Sequence, residues 1–140
     1  MGLVARLDTQ RLRTTGGSET NAQVTDAEDR AVADTRDFLI VSVDDASHTC
    51  VAVPLFTRSS PGSAPLVAAK RQGEAAGWLA HDVHYSRWQH WRIPIAALIG
   101  ASGSEPSNPG ERRTFALGDK EVLRDIGNWA TRNRCAFRPA

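Results

Sequence analysis

The clearest pattern of apolar and polar positions in the chain runs from Asp37 to Thr57. Phe38, Leu39, Ile40, Val41 and Val43 make a run that is apolar on both faces, rich in β-branched residues and too short for an independent helix. It reads as a buried strand. Asp44 to His48 has turn chemistry, because short Asp and Ser side chains bond the backbone locally. Thr49 to Phe56 reads as the return strand, with Val51, Val53 and Leu55 on one face. Pro54 has no N–H to give to a ladder, so that strand must lie at an edge, a bulge or an end there. A hairpin alone cannot hide an all-apolar strand, so other elements have to cover it.

The flanking sequence is punctuated by Gly and Pro. Residues 1–34 read as a polar N-terminal arm. The competing reading is a short strand at Gly2 to Leu7 and, from a Thr25-x-x-Glu28 capping box, a short helix to about Ala33. Arg13 to Asn21 is loop by composition, as is Arg58 to Pro65. Leu66 to Ala69 and Gly77 to Ala80 are short apolar elements. Trp91 to Ile95 alternates, Ala96 to Ile99 continues the apolar run to Gly100, and Thr114 to Leu117 reads as a last strand. One helix is plain, from about Asp119 to Arg134. Val122, Leu123, Ile126, Trp129 and Ala130 form its buried stripe, and Glu121 complements the helix dipole. Gly127 in its interior suggests a close approach by another group. The expected fold is mainly β (α+β): a small SH3-like barrel or a strongly bent antiparallel sheet with a C-terminal α-helix, formed as one domain over residues 35–140.

Composition narrows the partners only a little. The chain has 140 residues and a formal net charge of +1, so nothing pulls it globally toward nucleic acid. No run approaches the roughly 20 apolar residues of a membrane helix, and the N-terminus lacks the apolar core of a signal peptide. Cys50 and Cys135 make no CxxC motif, and Cys50 reads as a small packing residue. A cytoplasmic protein is the expectation.

Trp78 to Arg92 has the most unusual chemistry, because it gathers Trp78, Trp88, Trp91, His81, His84, His90, Tyr85, Arg87 and Arg92. Zinc is one reading, through the histidines and Asp82. Their spacing is not the i, i+4 of a helical pair and no cysteine is near, so no metal or other cofactor is expected. Single-stranded RNA is a second, with Trp88 and Trp91 stacking on bases and Arg87 and Arg92 meeting phosphates. The third is that the tryptophans fill the core and the histidines lie at its rim.

Thr35-Arg36-Asp37 before the first strand, and Val53-Pro54-Leu55-Phe56-Thr57 ending the second, resemble the centre of the PemK/MazF family of toxin endoribonucleases. Gly2 to Asp8 and Gly17-Ser18-Glu19 are similar to that family's first strand and Gly-x-Glu loop. Asp37 stands where the family has proline, and Phe56 separates Leu55 from Thr57. The pattern of a strand pair ending in Pro-apolar-x-Thr also resembles small fungal domains of unknown function. The toxin resemblance implies an SH3-like barrel, a homodimer, an antitoxin protein as partner, and metal-independent hydrolysis of single-stranded RNA. It assigns Arg36 as the cation, Thr57 as a phosphate hydrogen-bond donor, Glu19 as the base and Ser59 as an RNA contact. By chemistry His81 or His84 serves equally as base, since imidazole titrates near neutrality. The competing function is a non-catalytic SH3-like binding module for a peptide or protein partner, anchored by the same aromatic residues. The two diverge on whether Arg36, Thr57 and a histidine or carboxylate converge on one face.

Overall fold

The computed structural model describes residues 3–22, 35–59, 62–66, 71–73, 82–102, 113–115, 120–133 and 137–140. At its centre lies the expected hairpin. β3 (Thr35–Asp44) and β4 (Thr49–Phe56) pair antiparallel around a turn at 45–48. The Asp44 carboxylate makes that turn, accepting from the N–H groups of Ala46 and Ser47 at 3.0 and 3.4 Å and from the Ser47 hydroxyl at 2.7 Å. Those bonds, the Ser47 hydroxyl first, hold the Asp44 carboxyl below its ordinary pKa.

Alternation along the two strands sorts their apolar side chains onto opposite faces of the sheet. Leu39, Val53 and Leu55 enter one cluster with Val4, Tyr85, Val122 and Ile126. Phe38, Ile40, Cys50 and Ala52 enter another with Leu7, Leu12, Trp91, Ile93, Ala97 and Ala101. The first face is covered by α3 (Lys120–Asn133). The second is covered by α1 (Thr9–Thr15) and α2 (Ile95–Ser102). Both sides of the middle of β3, Phe38 to Ile40, are thereby closed off from water, while Ser42 to Asp44 run out into solvent.

The sheet runs in the order β1 (Val4–Asp8), β3, β4, β8 (Trp91–Pro94), β2 (Glu19–Thr20) and β10 (Arg138–Pro139), all antiparallel. β7 (His84–Ser86) joins the far end of β4 and carries β5 (Ser63–Pro65) on its other edge. β6 (Arg71–Gly73) and β9 (Arg113–Phe115) form a separate pair. Among the described residues β1 and β10 end the order without meeting, so the sheet is open and takes the bent-sheet form of the expectation rather than a closed barrel. Two irregularities interrupt its ladders. The β3–β4 register shifts between Ile40 and Ser42, a bulge that increases local twist. On its other side β4 changes partner: Thr49 to Ala52 face β8, Leu55 and Phe56 face β7, and Val53 and Pro54 fall between. Pro54 thus occupies the gap that its missing N–H requires.

Several expectations need correction. Of the two readings of the N-terminal segment, residues 3–22 follow the short strand, at Val4–Asp8, rather than the polar arm. β1 pairs along its whole length with β3, and Leu7 and Leu12 are fully buried, so a segment with few large apolar residues places them where both count. The loop reading of Arg13 to Asn21 gives way to the end of α1 and to β2, and that of Arg58 to Pro65 gives way at β5. The apolar run from Trp91 to Ile99, which the sequence assigns to no element, divides between a strand and a helix. Pro94 ends β8, and Ala97 and Ala101, four apart, face the core from α2. The close approach expected at Gly127 is not seen: among the described residues a Cβ there would meet nothing within 4 Å. Val122, Ile126 and the partly buried Leu123 make the stripe of α3 as expected. The capping box at Thr25 and the apolar element at Gly77 lie outside the described residues.

Candidate functional site

At the β7 end of the sheet the pairing register sets a row of residues side by side across five strands. Leu7 of β1 lies opposite Arg36 of β3, Phe56 of β4 opposite His84 of β7, and His84 opposite Pro65 of β5. The Arg36 guanidinium carbon sits 4.7 Å from the centroid of the Phe56 ring, which joins the two halves of the row. Its Nη1 donates to the Leu55 carbonyl at 3.4 Å. A cation held over an aromatic face and tied to a backbone oxygen is fixed in position while still partly exposed. His84 is half-buried, and its Nδ1 is buried without a hydrogen-bond partner among the described residues. Thr57, Arg58 and Ser59 leave the end of β4 directly beyond Phe56 and are exposed. Arg36, Phe56 and His84 therefore lie at one end of one face, and the exposed Thr57 follows Phe56 in the chain.

Glu19 does not join them. It pairs with Arg92 across β2 and β8, and Arg92 in turn faces Val51. The neighbouring pair, Trp91 with Ala52, points into the cluster that Phe38 shares with Arg36's face. Alternation puts Glu19 and Arg92 on the opposite side of the sheet. There Arg92 Nη1 binds Glu19 Oε2 at 3.0 Å, and its guanidinium lies 4.2 Å from the Phe137 ring centroid. Both residues are committed to seating the C-terminal strand. Glu19 as base to Arg36, and Arg92 as a phosphate contact beside it, are corrected on this geometry.

Two further RNA assignments also change. Trp91 is 0% exposed, edge-on to Phe38 at 5.8 Å, with its Nε1–H donated to Gln89 Oε1 at 3.0 Å. No base can reach its ring, so it belongs to the core. Arg87 donates from Nε to Asp125 Oδ2 at 2.9 Å, which anchors α3 to the sheet. Tyr85 donates its hydroxyl to the same oxygen at 2.5 Å. Burial first, then the Asp125 hydrogen bond, pushes the Tyr85 phenol well above its ordinary pKa. Burial also acts to raise the Asp125 carboxyl, but the bonds from Tyr85 and Arg87 outweigh it and hold the group below the usual carboxylate range. His81 lies outside the described residues.

The chain between Arg87 and His90 is held on every side. Arg87 N–H donates to the Gly62 carbonyl at 3.0 Å, and Asn21 donates to the Trp88 carbonyl at 2.5 Å and accepts from His90 N–H at 2.7 Å. Trp88 is half-buried and lies against Gly62, where a Cβ would come within 2.7 Å of its Cδ1. Gly62 also has φ +76°, so both the close approach and the backbone favour glycine. His90 is a buried rim histidine. Burial lowers its pKa, partly offset by its bond to the Arg87 carbonyl, so the neutral ring donates from Nε2 across 2.9 Å.

The contacts of Phe56 with Arg36 and of Asp125 with Tyr85 and Arg87 were not legible in the sequence. Phe56 looked like an insertion in a familiar strand ending, and Asp125 lies on the polar side of an amphipathic helix. Tyr85, the single tyrosine, was the available signal for a polar anchor. Among the described residues no three His, Cys, Asp or Glu side chains gather to hold a metal, and no helix is long and apolar enough to cross a membrane. Comparison with known proteins finds no matching family model, no matching curated protein and no matching solved structure, so the arrangement of Arg36, Phe56, Thr57 and His84 has to speak for itself.

Proposed function

We propose that this protein is a metal-independent endoribonuclease acting on single-stranded RNA, with its site on the row of Arg36, Phe56 and His84. The observation that supports the reading is a fixed guanidinium and an imidazole on the two sides of Phe56, with the exposed Thr57 next in the chain. RNA is cleaved when its own 2′-oxygen attacks the adjacent phosphorus and the bond to the 5′-oxygen breaks, leaving a 2′,3′-cyclic phosphate and a 5′-hydroxyl. His84 takes the 2′-hydroxyl proton as the general base. Arg36 meets the charge that develops on the non-bridging oxygens, and Thr57 donates a hydrogen bond to the same phosphate. The leaving 5′-oxygen takes its proton from the imidazolium or from water. An antitoxin protein and a homodimer are the partners this reading brings with it, in the cytoplasm.

The test is incubation of a long unstructured RNA with the protein in excess chelator, followed by analysis of the new ends. Cyclic phosphate ends that disappear in Arg36→Ala, and return only partly in Arg36→Lys, support the reading. Intact RNA in the presence of folded protein overturns it. The same fixed cation and aromatic ring then describe a non-catalytic binding module for a peptide or protein partner.

A further inference from the structure

We infer that Asp125 is a positioning residue for His84, acting through the strand that carries it. This inference rests on the assignment of His84 to the site. β7 has three residues, and they divide between the two faces. His84 points toward the Arg36 side, whereas Tyr85 lies in the opposite cluster with Val122 and Ile126 of α3. Tyr85, adjacent to His84, and Arg87, just past the end of β7, both donate to one oxygen, Asp125 Oδ2, at 2.5 and 2.9 Å. A single carboxylate oxygen on α3 therefore grips β7 from behind, at its middle residue and just past its C-terminal end. Charge-assisted bonds converging on one acceptor fix direction more tightly than apolar contact does. Among the described residues β7 is held within the sheet only by two short ladders, to Leu55 and Phe56 of β4 and to the three residues of β5. Removing the grip leaves those ladders to set where the imidazole stands relative to Arg36, and a small displacement of a reacting group lowers turnover without changing how the rest of the substrate binds.

The experiment follows the His84 ring resonances by NMR in wild type, Asp125→Ala and Tyr85→Phe, alongside RNA cleavage kinetics. The expected result is a shifted His84 signal and an altered ring titration in Asp125→Ala, with kcat lowered about tenfold or more and KM changed less than about twofold. Tyr85→Phe, which keeps the ring in the core, gives the same changes to a smaller extent and serves if Asp125→Ala does not fold. His84 signals that stay in place in a folded Asp125 or Tyr85 variant overturn the inference, whatever the RNA assay shows. If His84 shifts but the wild-type protein cleaves no RNA, the positioning of His84 stands and the ribonuclease reading falls.

Discussion

Leu12→Ala tests whether the N-terminal segment is part of the core. Leu12 is 0% exposed on α1 and packs in the cluster that holds Leu7, Trp91 and Ala97. Cutting it back to Ala removes three buried carbons, about 2–2.5 kcal/mol of transfer free energy. Incomplete collapse around a cavity of roughly 50–80 Å³ adds about 1–2 kcal/mol, and the better helix propensity of Ala returns a few tenths. The net loss is about 3–4 kcal/mol, a large share of the roughly 7–20 kcal/mol available to a chain of this length. Thr15→Ala, at an exposed position in the same helix, should change stability by less than about 0.5 kcal/mol. Urea unfolding followed by tryptophan fluorescence measures both, and the midpoint should move with an unchanged slope. A loss below about 1 kcal/mol for Leu12→Ala would refute the packing and restore the view of residues 1–34 as a detached arm.

Two smaller predictions follow from α3 and from the buried histidine. Gly127→Ala should stabilise the protein by about 0.5–1 kcal/mol, because a Cβ there meets nothing within 4 Å and Ala is the better helix former; an unchanged or lower urea midpoint contradicts this. His90 has a folded-state pKa below its ordinary 6.5, so the unfolded chain binds more protons in that window. Stability contributed by the neutral ring is present above about pH 6.5 and is lost as pH falls toward the folded pKa; urea midpoints measured between about pH 7 and pH 5 should show that slope, flattened in His90→Gln.

The hairpin and the final helix were legible because each is specified locally. β3 is too apolar to be anything exposed, Asp44 closes its own turn, and the α3 stripe repeats with the helical period. What could not be read was set by pairing between distant residues. Leu7 and Leu12 look sparse in sequence and become core only because β1 lies against β3. Ala96 to Ile99 carries no period that separates strand from helix; the end of β8 at Pro94 decides it. The site divides the same way. Arg36 and Thr57 were singled out from the residues around the hairpin, but which candidate base lies on the Arg36 face depends on the register that places His84 beside Phe56 and sends Glu19 to the other face. The aromatic-basic stretch mixed three roles that composition alone could not separate: Trp91 in the core, Arg87 on Asp125, and His84 in the row.

The most direct test of the account sets His84→Gln against Glu19→Gln in the same RNA cleavage assay, in excess chelator and with both variants shown to be folded. The proposed function predicts that His84→Gln loses about a hundredfold or more of the wild-type rate, since it removes the proposed proton acceptor, across Phe56 from Arg36. Glu19→Gln, across the sheet and paired with Arg92, should stay within about threefold of wild type. The opposite ranking, with Glu19→Gln inactive and His84→Gln near wild type, would contradict the placement of the site.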